Sequence, residues 1–324
     1  MGSAAVGKAA MTAVLLVSAQ AAHAHGIAGN RYFDGTLTFD DPAVADEAIL
    51  PLYSQLDYPT RGSNVDENRI NWAFQRLLTP TLAFSADGGW LHQNWPIGHT
   101  SGADKADIGL KYEAYRNNQH ETLISVGLAW GIGHTGARGV GADAPNTIQP
   151  GVFFGKGFGD LPDSLSWLRP FAVTAAFVNE VPVGSTHAMA LAPNLTTGKF
   201  DSLLSPGVET IHWGFSIQYS TLYLTSRFDG GPPKEEPFNQ FVPLVEFKFE
   251  SPRGQYTAAT ANPGIAYVAV TWQIAAEAII PLNRAGGNGT GFRAQLLFFL
   301  DDLIPSLFAR PLLSNKPERS QIAW

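Results

Sequence analysis

From Thr210 to Tyr219 the chain sets Ile211, Trp213, Phe215, Ile217 and Tyr219 on one face and His212, Gly214, Ser216 and Gln218 on the other. Only an extended strand, whose side chains alternate between two faces, separates those sets; a helix mixes them. The device recurs in Ile70–Gln75, Leu82–Leu91, Asp107–Ala114, Thr122–Ile132, Thr147–Phe158, Pro170–Val178, Leu222–Phe228, Phe241–Phe249, Ile265–Ala275 and Phe292–Leu300, which with the first makes eleven segments. Most come close to the roughly ten residues that a tilted strand needs to cross a hydrocarbon layer.

A soluble β-sandwich would also alternate. Two features point instead to a transmembrane barrel. The apolar faces carry large aromatics near segment ends (Trp90, Tyr112, Trp130, Trp213, Tyr219, Trp272), as interfacial girdles do. The opposite faces carry Lys111, Glu113, Arg227, Glu246, Lys248 and Arg293, charges that a sandwich core would bury at high cost and a wet lumen accepts. These six are the candidate lumen-lining residues. Lys111 with Glu113, and Glu246 with Lys248, stand two positions apart on one strand face, where they can pair with each other or across to a neighbour. They form either a structural salt-bridge network or the lining that selects solutes.

Composition agrees with the barrel. Only 15% of residues are charged, against about 25% in ordinary soluble domains, and cysteine is absent although export would permit disulfides. Export is expected because Lys8, an apolar stretch from Ala9 to Val17 and the small-residue end Ala22-His23-Ala24 form a secretory signal peptide over residues 1–24. Its removal takes one lysine and no acid, leaving a charge of about −8, so nucleic acid is not an expected partner. The expected partners are outer-membrane lipid, the barrel assembly machinery and a small-molecule solute of unknown identity. No cofactor and no metal is expected.

Loop lengths set a direction for each strand. Short connections (Thr79-Pro80, Asn117 to His120, Ser220-Thr221) alternate with long ones at 92–105, 133–146, 179–209 and 229–240, as periplasmic turns alternate with outer loops in such barrels. The segment at Ile70 then runs toward the periplasm and needs a rising strand before it. Arg31–Phe39 alternates and supplies it. The reading is an all-β chain, an antiparallel transmembrane β-barrel of about 12 strands. Residues 25–300 form the barrel domain, with 25–66 as first strand or plug, and 301–324 a periplasmic tail. Within 179–209, Met189, Leu191 and Leu195 suit a lid over the mouth.

The opening Gly29-Asn30-Arg31-Tyr32-Phe33, the following Gly35-Thr36-Leu37-Thr38-Phe39-Asp40-Asp41-Pro42, the Gly-aromatic strands and the late Ala276-Glu277-Ala278-Ile279-Ile280-Pro281-Leu282 resemble proteobacterial outer-membrane proteins. They are similar to the transporter group named for the meta-pathway of phenol degradation. That resemblance implies an outer-membrane barrel admitting small, partly apolar molecules and assigns no functional residue.

Signals for other chemistry are sparse. His25, at the new amino terminus, has the α-amine and ring nitrogen that chelate copper in secreted polysaccharide oxygenases. Nothing in the sequence pairs His92, His99, His134 or His187 with it. His212 and Ser216 share a strand face, as a lipid-hydrolysing barrel enzyme would require, yet four residues of strand span about 13 Å. The chain is therefore read as a passive channel or uptake protein and not an enzyme. A lipid-acting barrel enzyme and a non-porous surface protein are the alternatives.

Overall fold

The computed structural model describes residues 26–60, 63–184, 187–224 and 240–313. The signal peptide, His25, Arg227 and the tail from Ser314 onward lie outside them. In chain order the strands are β1 (Ile27–Ala28), β2 (Arg31–Tyr32), β3 (Glu47–Thr60), β4 (Ser63–Thr79), β5 (Leu82–Trp95), β6 (Gly98–Ala103), β7 (Ala106–Asn117), β8 (Thr122–Ile132), β9 (Thr147–Gly157), β10 (Phe171–Pro182), β11 (His187–Asn194), β12 (Lys199–Pro206), β13 (Thr210–Tyr219), β14 (Gln240–Pro252), β15 (Ala258–Val268), β16 (Trp272–Pro281) and β17 (Gly291–Phe299). Two helical turns follow, α1 (Leu300–Leu303) and α2 (Pro305–Phe308).

Twelve antiparallel strands close into a barrel in the order β3, β4, β5, β7, β8, β9, β10, β13, β14, β15, β16, β17, with β17 returning to β3. Closure matters physically because an open sheet edge leaves unpaired amides, which hydrocarbon cannot solvate. The outward face is apolar: Leu110, Leu128, Ile148, Val152, Phe177, Ile217, Ile265, Ile274 and Phe292 are all exposed. Aromatic pairs bracket this belt. Trp213 stacks on Phe249 at 3.9 Å near one rim, while Phe171–Tyr219 and Tyr267–Trp272 meet at 5.0 and 5.7 Å near the other. Such a surface fits hydrocarbon between two interfaces.

Twelve is the expected number, but the strands differ in identity. Arg31–Phe39 is not a wall strand: residues 31–37 are buried throughout, and the segment 26–46 lies inside the barrel as a plug. The first wall strand is β3, hidden in the sequence because a bulge between Ile49 and Leu52 flips its alternation. Ile265–Ala275 spans two strands, β15 and β16, joined through a tight turn in which the Ala269 amide donates to the Trp272 carbonyl. Leu222–Phe228 is not a strand where described; residues 221–224 form a helical turn and 225–228 lie outside the described residues. β13 ends and β14 begins at the short-turn rim, so the expected alternation of short and long connections does not hold there; of the expected outer loop 229–240, residues 229–239 lie outside the described residues.

The plug rests against the wall through both contacts and space. Its Ile27, Tyr32 and Leu37 form one apolar cluster with Val242, Leu244, Ala266, Val268, Ala275, Leu297 and Phe299 of β14–β17. The lining of β14–β17 is thus apolar at the short-turn end, where the sequence reading expected the inward faces to be polar. Glycines in β9 make room: a Cβ on Gly155 would lie 3.0 Å from Pro42 and 3.1 Å from the Phe33 ring. Gly155→Val should accordingly displace the plug while leaving the barrel closed. Gel migration should keep its heat-modifiable shift, and amides of residues 26–46 should lose hydrogen-exchange protection; unchanged plug protection would refute this packing role.

Candidate functional site

Plug anchors come from opposite sides of the wall. Near the short-turn rim Arg31, 2% exposed, donates to the carbonyls of Arg169 (2.6 Å) and Pro170 (3.2 Å). It also pairs with Glu121 at 3.4 Å and lies 4.1 Å from the Tyr223 ring centroid. Glu121 in turn accepts from Tyr223 and from the Gly159 amide at 2.9 Å. A guanidinium suits this place because its planar fork of donors can serve several carbonyls and a carboxylate at once.

Farther into the barrel the plug turns back at its tip. Glu246 accepts from the amides of Leu37 (3.0 Å) and Thr38 (2.8 Å) and from the Thr38 hydroxyl. Gln218 brackets Asp34, accepting from its amide and donating to its carbonyl, and Gln273 donates to the Gly35 carbonyl at 3.0 Å. Across the lumen Lys111 Nζ reaches the Asp40 carboxylate at 2.7 Å and the carbonyls of Asp41 and Ala43 at 3.0 Å. The returning chain meets the wall at Asp46, which pairs with Arg76 at 2.7 Å and accepts from the Leu77 amide. Arg76 also donates to the Leu307 and Arg310 carbonyls, fastening the tail beneath β4.

Of the six candidate lining residues, five face the interior and Arg227 lies outside the described residues. Lys111 and Glu246 hold the plug tip. Glu113 pairs with Arg116, which also donates to the Ile27 carbonyl. Arg293 pairs with Glu277 across β16 and β17 at 2.6 Å, and Lys248 pairs with Glu250 at 2.7 Å. Of the two options open to Lys111, Glu113, Glu246 and Lys248, pairing with each other is not the one taken: Lys111 and Glu246 bond the plug, Glu113 pairs with Arg116, and Lys248 pairs with Glu250.

Above the plug tip the lumen opens into a cavity of about 470 Å³. Leu37, Phe39, Ile49, Leu52 and Leu297 give it apolar ground, and carboxylates of the plug and wall surround the rest. Asp104 pairs with Arg69 at 2.9 Å, and Glu180 pairs with Lys105 at 2.6 Å and with His212 at 3.1 Å. Sequence reasoning did not single out Asp87, Asp107 or Glu180 as lining residues; Asp87 and Asp107 fall on the small or polar faces of alternating segments, which was the available signal, whereas Glu180 lies in the stretch 179–209 read as a loop and belongs to β10.

Over the mouth, the β11–β12 hairpin occupies the region expected as a lid. Its Met189 amide donates to Asp143 at 3.2 Å, and Phe200 meets Trp95 of β5 with ring centroids 6.3 Å apart. Asp143 also accepts from His134 and Arg138, and these hydrogen bonds hold its carboxyl below the usual carboxylate range against the opposing effect of burial. The hydrolase pairing does not assemble: His212 is held by carboxylates, and Ser216 shares a hydrogen bond with Thr174 at 3.2 Å. Among the described residues no group of three or more His, Cys, Asp or Glu side chains is placed to hold a metal ion.

No family model and no curated protein sequence matches the chain. Solved structures do match its fold. An outer membrane channel from Pseudomonas putida F1 aligns over 83% of this chain and 98% of its own length, at 12% identity and a TM-score of 0.50. The KdgM and NanC porins align more loosely, each over 78% of this chain and 98% of their own, at 11% and 10% identity and TM-scores of 0.40 and 0.41. The fold is that of outer-membrane barrels.

Burial gives the plug a dependence on pH. Loss of hydration pushes the Asp34 carboxyl up to about 8, opposed by the nearby Arg31, and pushes Asp41 up to about 7, opposed by Lys111. Both groups hold their protons more tightly when docked, so docking is strongest below the ordinary carboxylate range, near pH 4. It weakens as pH rises through about 7 to 8. Hydrogen exchange of residues 31–41, corrected for intrinsic rates, should show more protection at pH 5 than at pH 8.5; equal or inverted protection would contradict this.

Proposed function

We propose that this protein is a passive outer-membrane channel or uptake barrel for small, partly apolar molecules, with its amino-terminal segment serving as the constriction. The observation that carries the reading is the division of the interior. A mixed polar and apolar cavity of about 470 Å³ faces one rim, and a plug held by hydrogen bonds and ion pairs fills the other half. A twelve-stranded barrel encloses more space than the side chains of its wall fill, and the plug takes up one part of that space while leaving the other open.

Outer-membrane lipid is the proposed solvent of the apolar belt, and the barrel assembly machinery the proposed route of insertion. The finer kinship with the transporter group named for the meta-pathway of phenol degradation belongs to the same proposal. It is supported by the stretch from Gly29 to Pro42, which forms the plug itself. Lys111 and Glu246 act in this reading through the plug, by fixing where the constriction sits. Arg293 and Lys248 belong to the wall charges that a passing solute meets.

The test is conductance in planar bilayers, with liposome entry of uncharged aromatic solutes beside it. Wild-type protein should open small pores, and deletion of residues 26–46 should enlarge the conductance several-fold while the heat-modifiable gel shift persists. A folded plugless barrel that neither conducts nor admits solute would sink the channel reading.

A further inference from the structure

The cavity above the plug is lined by seven carboxyl groups and by two bases, Arg69 and Lys105. Asp87 of β5 and Asp107 of β7 stand directly opposite each other in the strand register, an arrangement in which like charges repel. Lys105 is the base beside them, 3.7 Å from Asp107, and it is already engaged with Glu180 at 2.6 Å. Among the described residues the Asp87 carboxylate forms no ion pair or hydrogen bond. A wall that keeps two opposed carboxylates with half a counter-charge is unfavourable alone and favourable around a cation.

A second observation points to the same occupant. Gln295 of β17 lines this cavity, is 2% exposed, and has no hydrogen-bond partner for either its amide nitrogen or its oxygen. Leaving such a group unsatisfied costs on the order of 1–3 kcal/mol. Asn71 Oδ1, also on the lining, is likewise unpartnered. Buried amides without partners in residues that border a cavity are groups that an occupant of the cavity can satisfy.

We infer that this cavity is a binding site for a small organic ammonium ion with an apolar body, held between the Asp87–Asp107 pair and the Gln295 amide. This names the solute class of the proposed channel and rests on that reading for its role in transport, though binding itself does not require conduction. The space favours an organic occupant over a bare ion: about 470 Å³ lies in the range of small-molecule sites. The apolar ground of Leu37, Ile49 and Leu52 would cover a hydrocarbon or aromatic body, while the carboxylates take the ammonium and the Gln295 oxygen can accept one of its protons. Anions of the same skeleton are repelled.

The experiment uses the full barrel purified in nonionic detergent and three probes of one skeleton: phenethylammonium, 2-phenylethanol and 3-phenylpropionate. Calorimetric titration should give phenethylammonium at least ten-fold tighter binding than the alcohol, with no binding of the carboxylate, and the preference should shrink as salt rises. The alcohol reports partition into detergent, so the comparison removes it. Asp87→Asn with Asp107→Asn should abolish the preference, and Gln295→Leu should weaken ammonium binding several-fold, in variants whose heat-modifiable gel shift confirms a closed barrel. Equal affinity for the three probes, no binding of any, or a preference that survives the double Asn variant would each overturn the assignment. Binding without conductance would overturn the channel reading alone.

Discussion

Everything inside this barrel depends on β3 being hydrogen-bonded along both edges, to β4 on one side and β17 on the other. In water an unpaired strand edge is a liability; in hydrocarbon it is prohibitive, because no solvent replaces the lost partners. Closure also fixes the interior. Once each strand has two neighbours, the period of two assigns every side chain to lipid or lumen, and the plug inherits a chamber whose chemistry the inward set decides. That set is not uniform: β14–β17 turn Val242, Leu244, Ala266, Ala275 and Leu297 inward near the short-turn rim, and Glu246, Glu277 and Arg293 inward farther along.

The change from apolar to charged lining explains the course of the plug. Ile27, Tyr32 and Leu37 enter the apolar zone, where removing their surface from water is worth about 1.5–3 kcal/mol each. At the boundary the chain must satisfy its own backbone, and the wall supplies acceptors and donors at the right height: Glu246 for two amides, Gln273 and Lys111 for carbonyls. Past that height the chain turns around at Thr38, Phe39 and Asp40, the most exposed residues between 31 and 46. Lys111 is tied to this turn by three bonds, so a lysine on a wall strand sets how far the plug reaches.

Much of the wall was legible in the sequence, because lipid and lumen ask for opposite side chains and alternation follows from that. Thr210–Tyr219 and Thr122–Ile132 agree with the structure residue for residue. What escaped has physical causes. In β3 the inward residues pass from Glu47 and Ile49 to Leu52 and Ser54, so the bulge shifts the parity and Pro51 interrupts the strand signal. The turn between β15 and β16, Ala269-Val270-Thr271, contains no Gly, Pro or Asn to mark it. Arg31–Phe39 alternates, yet it is walled in on all sides; period two reports an extended chain and does not distinguish a strand of the wall from a segment inside it. The candidate charges on the polar faces were legible as inward-facing, whereas their partners, which come from the plug and distant strands, were not.

The plug's two anchors differ in kind, and this constrains how the lumen can open. Arg31 is surrounded by backbone carbonyls and a buried carboxylate, so withdrawing it would leave Glu121 buried without its cation, a loss of the kind that costs about 3–5 kcal/mol. The tip is held instead by Lys111 to a half-exposed Asp40 and by amide contacts to the buried Glu246; Asp40 borders the cavity, so water on that side reaches its contact first. A displacement that begins at the tip and leaves the Arg31 end seated therefore meets the lower resistance. It would extend the cavity downward along β14–β17, past Leu297 and Leu244, and expose an apolar path to a solute that already has an apolar body.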